Sequence, residues 1–420
     1  MVAKRRTGFR WLKWLVVALG LLALLFLLAT SSHPWVPTAR AATAQQVKLT
    51  RLVFQAARKS RAMGKPVQLT LDQQQLDAAS TMIGQGFPPN RLAAQIHGDR
   101  LTVTASRPFM GRWINVRGIT SGKSDGFPDL SVRVGAIPIP GWMAKFGLGM
   151  ARRLMILRGA TLPPLDTLVA GTNVSKGLVT AQIMLPRTGL VDQASGDGAL
   201  AIDDDEVARL YCKLAAEQRA NPDPLFAHQM RRAMALSTAS RESDGAALVA
   251  LAMLAVNKQV GQLVGDADTK SAKCKAPPGQ LTLQGRTDSP KHWSLSAALE
   301  VTTGRNFTVA MGEWKELSDS LASNPYLAKG DASGFSFVDL ATDRAGFLTA
   351  KNLMDPAKLA DTRARMMRAT DDMLLPKTAL TLSDGMPNAQ FVAAYGGTDD
   401  PRFKAKVQSI DAMLKADGID

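Results

Sequence analysis

The chain has 420 residues, 46% of them hydrophobic and 21% charged, with a formal net charge of +15 and two cysteines. That length exceeds one ordinary core and implies two or three domains. Two cysteines outside any C-x-x-C pair exclude a disulfide-built miniprotein and a cysteine zinc site, and no H-E-x-x-H or P-loop pattern occurs.

The N-terminus places Lys4, Arg5, Arg6, Arg10 and Lys13 before an apolar run from Trp14 to Ala29. A basic flank followed by such a run predicts a transmembrane anchor over residues 1–39, with a cytoplasmic stub and an exported remainder. The competing reading is a cleaved signal peptide with the small-residue site Ala39-Arg40-Ala41, about ten residues beyond the run.

Charge divides the remainder of the chain. Residues 40–195 carry twenty Lys or Arg against seven Asp, residues 196–420 carry 26 against 29, and no glutamate precedes Glu206. This predicts a basic domain over 40–195 and a separate domain over 196–420. A basic body beside a membrane attracts anionic lipid headgroups or a cell-wall glycan. Nucleic acid is the other usual partner of such charge and is not expected for an exported chain.

In the basic domain, residues 48–62 have the spacing of an amphipathic helix. "PVQLTLDQQQLDAA" reads as a strand passing into a helix, with Thr70 and Gln73 as its capping box. A hairpin is predicted around His97-Gly98-Asp99, with His97 solvated, then alternating strands in "RWINVRG" and "DLSVRVGAIPIPG". A helix over "GWMAKFGLGMARRLMIL" and a last strand in "GLVTAQIML" complete a twisted antiparallel sheet with helices on one face.

On "QLTLDQQQLDAA" and "VRVGAIPIPGWM", residues 48–187 resemble the YpmS-like group of bacterial envelope proteins, although Asp77 stands where that pattern has asparagine. The resemblance implies an apolar groove between sheet and helix able to take an acyl chain. Trp113, Trp142, Phe146 and Met150 would line it; the alternative is that they fill a core.

From Asp203 the pattern becomes helical. "DDDEVARLYCKLAAEQRAN" starts with acids, as the helix dipole favours, and "DGAALVALAMLAVNKQVGQLV" is apolar nearly all round, as a buried bundle helix requires. "GQLTLQG" is strand-like. Ser289-Pro290 open a helix, a second carries Glu313, Glu316 and Asp319, and a third sets Asp339 and Asp343 four apart on one face. Gly346 would allow a neighbouring helix close approach. The chain ends in a short helix, a Gly-rich turn and an amphipathic helix. Cys212 and Cys274 are a candidate disulfide, with two free buried thiols as the alternative.

Three blocks of this domain resemble the YfiM-like proteins and, more distantly, VanZ-like domains: Lys291, His292 and Trp293; Gly312, Lys315, Glu316, Asp319 and Ser320; and Gly334, Ser336, Phe337, Asp339, Leu340, Asp343 and Gly346. Arg344 stands where that pattern has an apolar residue, which predicts a helix facing water. The resemblance makes Lys291, His292, Glu316, Asp319, Ser336, Asp339 and Asp343 the candidate ligand-binding set and implies no particular activity.

The fold expected is therefore α+β: a membrane helix, an antiparallel sheet domain and a mainly helical domain. The expected function is binding of a lipid, lipid-linked or cell-wall ligand by a protein of the inner membrane, its bulk in the periplasm. The alternative is a cell-wall hydrolase with Glu316 and Asp339 as an acid–base pair. His292 with Glu316, Asp339 and Asp343 has metal-ligand chemistry, but structural ion pairs account for the same residues. Neither a metal nor a cofactor is expected.

Overall fold

The computed structural model describes residues 10–37, 65–86, 90–157, 163–184, 202–277, 279–303 and 334–419, with short pieces between 42 and 53. The expected helix over 48–62 lies largely outside these residues, as does the helix carrying Glu313, Glu316 and Asp319.

The apolar run forms a helix, α1 (Arg10–Ala29), but the expected transmembrane anchor is overturned. Among the described residues no helix is long and apolar enough to cross a membrane. The far end of α1 is joined to the sheet. Phe26 meets Phe109 with ring centroids 6.3 Å apart, and the Leu28 carbonyl accepts the Ala136 amide at 2.8 Å. The helix runs directly into β1 (Thr30–Ser31), which pairs with Ile114 and Trp113.

The strands β2 (Val67–Leu71), β3 (Arg91–His97), β4 (Arg100–Phe109), β5 (Arg112–Asp125), β6 (Ser131–Val134), β7 (Ile137–Ile139), β8 (Val169–Ser175) and β9 (Leu178–Ile183) build one antiparallel sheet with β1. Its path is β2-β9-β8-β5-β4-β3, with β6 on β5 and β7 on β6. The long β5 joins two halves: up to Ser121 it pairs with β4, and from Gly122 it pairs with β8. Gly122 has φ +67°, a conformation that lets the strand change partners at little steric cost. The "DLSVRVGAIPIPG" stretch is a hairpin of two short strands, because Gly135-Ala136 turns the chain.

Helix α2 (Gln73–Gly86) packs on β3. Its capping box is Asp72 with Gln75, the Gln75 amide donating to Asp72 at 2.8 Å and the Asp72 amide to Gln75 Oε1 at 3.0 Å. Thr70 instead bonds Thr180 across the β2–β9 pair, since a side chain within a strand points to its cross-strand neighbour.

Helix α3 (Gly141–Leu157) meets the sheet at β6. Trp142 and Phe146 are 73% and 66% exposed and Met150 is exposed too, while Trp113 lies under the Arg91 guanidinium, 4.4 Å from the ring centroid. These four residues neither fill a core nor enclose an acyl groove, and lipid binding loses the structural basis expected for it.

The second region is helical: α4 (Asp204–Ala220), α5 (Phe226–Leu236), α6 (Arg241–Ala255), α7 (Ser289–Thr303), α8 (Phe337–Met354), α9 (Leu359–Met366), α10 (Asn388–Tyr395) and α11 (Pro401–Ala416). Asp203 caps α4, and Asp204, Asp205 and Glu206 fill its first turn, where the exposed amides favour negative charge. Helix α6 is buried from Ser243 to Met253. Cys212 and Cys274 form a disulfide. "GQLTLQG" forms two isolated bridges, Leu225 with Thr282 and Leu283 with Arg286, not a strand.

Helices α7 and α8 are closely packed. A Cβ at Gly346 would overlap the Trp293 carbonyl, so glycine is what permits the approach. Trp293 is buried, donates to the Leu374 carbonyl at 3.0 Å and meets Phe226 edge-on. Helix α8 does not face water: Arg344 is 7% exposed and is held by the Asp411 carboxylate of α11. An arginine fits an apolar pattern position when a partner 67 residues away supplies the countercharge.

Candidate functional site

Two places hold chemistry-bearing side chains: the seam between α7 and α8, and the polar face of the sheet.

At the seam, Ser336 caps α8 by accepting the Asp339 amide at 3.0 Å, which starts the helix with Asp339 and Asp343 directed at α7. His292 meets both acids. Its Nδ1 lies 3.1 Å from Asp343 Oδ1 and its Nε2 lies 3.3 Å from Asp339 Oδ2. All three residues are buried. A neutral imidazole has one N–H, so both contacts are hydrogen bonds when the three groups share one further proton, held either on the ring or on one of the two carboxyls.

Asp343 Oδ1 also accepts from Ser296 Oγ at 2.8 Å, and its Oδ2 is buried with no hydrogen-bond partner among the described residues. Asp339 Oδ1 lies 3.5 Å from Arg286, whose guanidinium holds Asp288 and Asp384 at 2.7 Å each. The Asp288 carboxylate holds the Arg286 pKa above its ordinary value. Burial pushes the Asp288 carboxyl up, but the Arg286 hydrogen bond and charge outweigh it and leave the pKa lowered. Hydrogen-bonded in this way, the acids and the histidine hold α7 against α8.

Of the expected ligand set, the structure brings together His292, Asp339 and Asp343, with Ser336 at the helix cap. Lys291 points to solvent. Glu316 and Asp319 lie outside the described residues, and so does one member of the expected Glu316–Asp339 acid–base pair. The sequence pattern did not single out Ser296, Arg286 or Asp384. Ser296 was reachable, being one helical turn beyond His292. Arg286 and Asp384 are 98 positions apart, with no local signal to link them.

The G-x-S-x-G spacing of a nucleophile elbow does occur, as "GKSDG" over Gly122–Gly126. Ser124 lies within β5 and bonds Thr172 Oγ1 at 2.7 Å, whereas an elbow needs a sharp strand-to-helix turn. Asp203, Asp204 and Asp205 lie close enough to share a cation, but Lys270 already sits 2.6 Å from Asp204 and 2.7 Å from Asp205.

On the sheet, register decides which side chains share a face. Arg117 of β5 stands directly opposite Arg133 of β6, and both are exposed. Two residues along, Ile119 faces Ser131; farther on, Arg100 of β4 faces Ser121. Among the described residues no carboxylate pairs with Arg100, Arg117 or Arg133, and Arg117 lies instead over the Trp35 ring, 4.9 Å from its centroid.

Trp35 belongs to a strap that crosses this face after β1. The Trp35 amide donates to Asn115 Oδ1 at 2.9 Å and to Ser106 Oγ at 3.1 Å, and Asn115 Nδ2 donates to Ser31 Oγ at 2.6 Å. Asn115 and Ser106 are buried under the strap.

No family model, no curated protein and no solved structure matches this chain.

Proposed function

We propose that the protein is a binding protein of an oxidising compartment outside the cytosol and that its basic sheet domain holds an anionic cell-wall polymer. The observation that carries this reading is the Arg117–Arg133 pair. Like charges directly opposite on neighbouring strands repel, and here both are exposed and unmatched by any described carboxylate. A polyanion supplies the missing charge and gains from the positive field of the whole domain. The Cys212–Cys274 disulfide supports the compartment, since such bonds persist under oxidising conditions.

The full chain is mixed with purified peptidoglycan sacculi and sedimented. Retention near 0.01 M salt and release near 0.15 M is expected, as the Debye length shrinks from about 30 to about 8 Å. Absence of the protein from the low-salt pellet removes the reading.

A further inference from the structure

Beside the arginine pair the sheet opens into a groove of about 840 Å³. Its wall includes Arg100, Ser121 and Ser131 with Ile119 and Val132, and Asp129 is the one acid in it. The groove forms where β5 leaves β6. The β5–β6 pairing ends at Ile119 and Ser131, and β5 crosses to β8 from Gly122. Strand register puts the Arg117–Arg133 pair one row before this point and Arg100, opposite Ser121, one row after it.

From Arg117 to Ser121 is four strand residues, or about 13 Å. Cations therefore flank a trough whose floor mixes apolar side chains with hydroxyls. A single small anion would engage one end only. A stretch of acidic sugar rings matches the whole: anionic groups at the arginines, ring faces on Ile119 and Pro138, which stands opposite Arg133, and sugar hydroxyls at Ser121 and Ser131.

We infer that this groove is the binding site of a glycan strand bearing carboxylate or phosphate groups, with Arg117 and Arg133 as the anion clamp at one end and Arg100 at the other. The inference rests on the cell-wall reading above and adds a location and a ligand class to it.

The test uses the full chain and the sacculus assay at low salt. Polygalacturonate, an acidic glycan without lipid, is expected to displace the protein, and neutral dextran is not. Arg117→Gln with Arg133→Gln is expected to lower affinity at least about tenfold, the effect of losing two close charge contacts. Because Arg117 also stacks on Trp35, Ser131→Glu serves as a second variant; it puts a negative charge into the groove wall and is expected to weaken binding similarly. Arg153→Gln with Lys176→Gln removes the same charge from other elements of this domain and is expected to change affinity less than about twofold. If wild type binds sacculi but the groove variants bind as well as wild type, or the control pair loses as much, the groove is overturned while the cell-wall reading stands. Displacement by dextran as well as by polygalacturonate, or by neither, overturns the ligand class. Failure of wild type to bind sacculi overturns the cell-wall reading itself.

Discussion

At the residue scale the seam between α7 and α8 turns on His292, which faces a buried carboxylate at each ring nitrogen. Removing one member of a buried ionic group leaves the others without compensation, typically at a cost of about 3–5 kcal/mol. His292→Ala is therefore expected to lower unfolding free energy by about that much in urea titration, while the protein that remains folded still binds sacculi. An unchanged midpoint would show that the ring does not hold the helices. Gly346→Ala tests the same seam from the backbone side. Its Cβ would meet the Trp293 carbonyl, a backbone atom that moves only if the helix moves. A loss of about 1–3 kcal/mol or more is expected, and a neutral result would mean that α7 and α8 separate easily.

At the element scale, the disulfide links the middle of α4 to the segment after a short helix at Ala267–Lys270, across 62 residues. Closing a loop of that length is worth about 4 kcal/mol in the chain-entropy model. The Cys212→Ser, Cys274→Ser double variant should unfold at lower temperature by a corresponding amount, and calorimetry that finds no shift would place the bond outside the cooperative unit. The strap across the sheet depends on Asn115, which is wholly buried and bonds the Trp35 amide. Asn115→Ala strands those partners, and a cost of about 1–3 kcal/mol is expected, with greater proteolysis near Trp35. An unchanged cleavage pattern would mean that the strap stays bound without Asn115.

At the scale of the whole molecule, acid sensitivity arises from its carboxylates. Glu206 is held low by the Arg209 hydrogen bond, and Asp400 is lowered to about 2 by Arg402. Asp288 ends below its ordinary 3.8 because Arg286 outweighs burial. A depressed carboxyl stabilises the fold above its unfolded pKa, and that contribution is lost as pH falls through the folded value. Asp244, pushed up by burial, acts oppositely: what it contributes is present below its unfolded pKa and lost as pH rises through the folded one. The depressed groups outnumber it among those named, so stability should fall as pH drops below about 4. Asp288→Asn should flatten the fall below 3.8; an equally steep curve would show that Asp288 contributes nothing to it.

How far the sequence reaches depends on the range of the interaction. Periodicity and capping report contacts within a turn or two, and they were enough to place helix α8 with its two acids on one face, the acidic start of α4, the buried run of α6 and the hairpin at Gly98. The close approach at Gly346 was legible because only glycine leaves room there. The division of charge at Glu206 was legible because composition needs no geometry. Three features were decided only by tertiary structure. The far end of α1 is tied to the sheet at Phe109 and Ala136, and among the described residues no helix is long and apolar enough to cross a membrane. Burial of Arg344 depended on Asp411, and the register of β5 against β6 put Arg117 opposite Arg133. Each of these depends on groups far apart along the chain, and a local pattern carries no record of which distant partner the folded chain will supply.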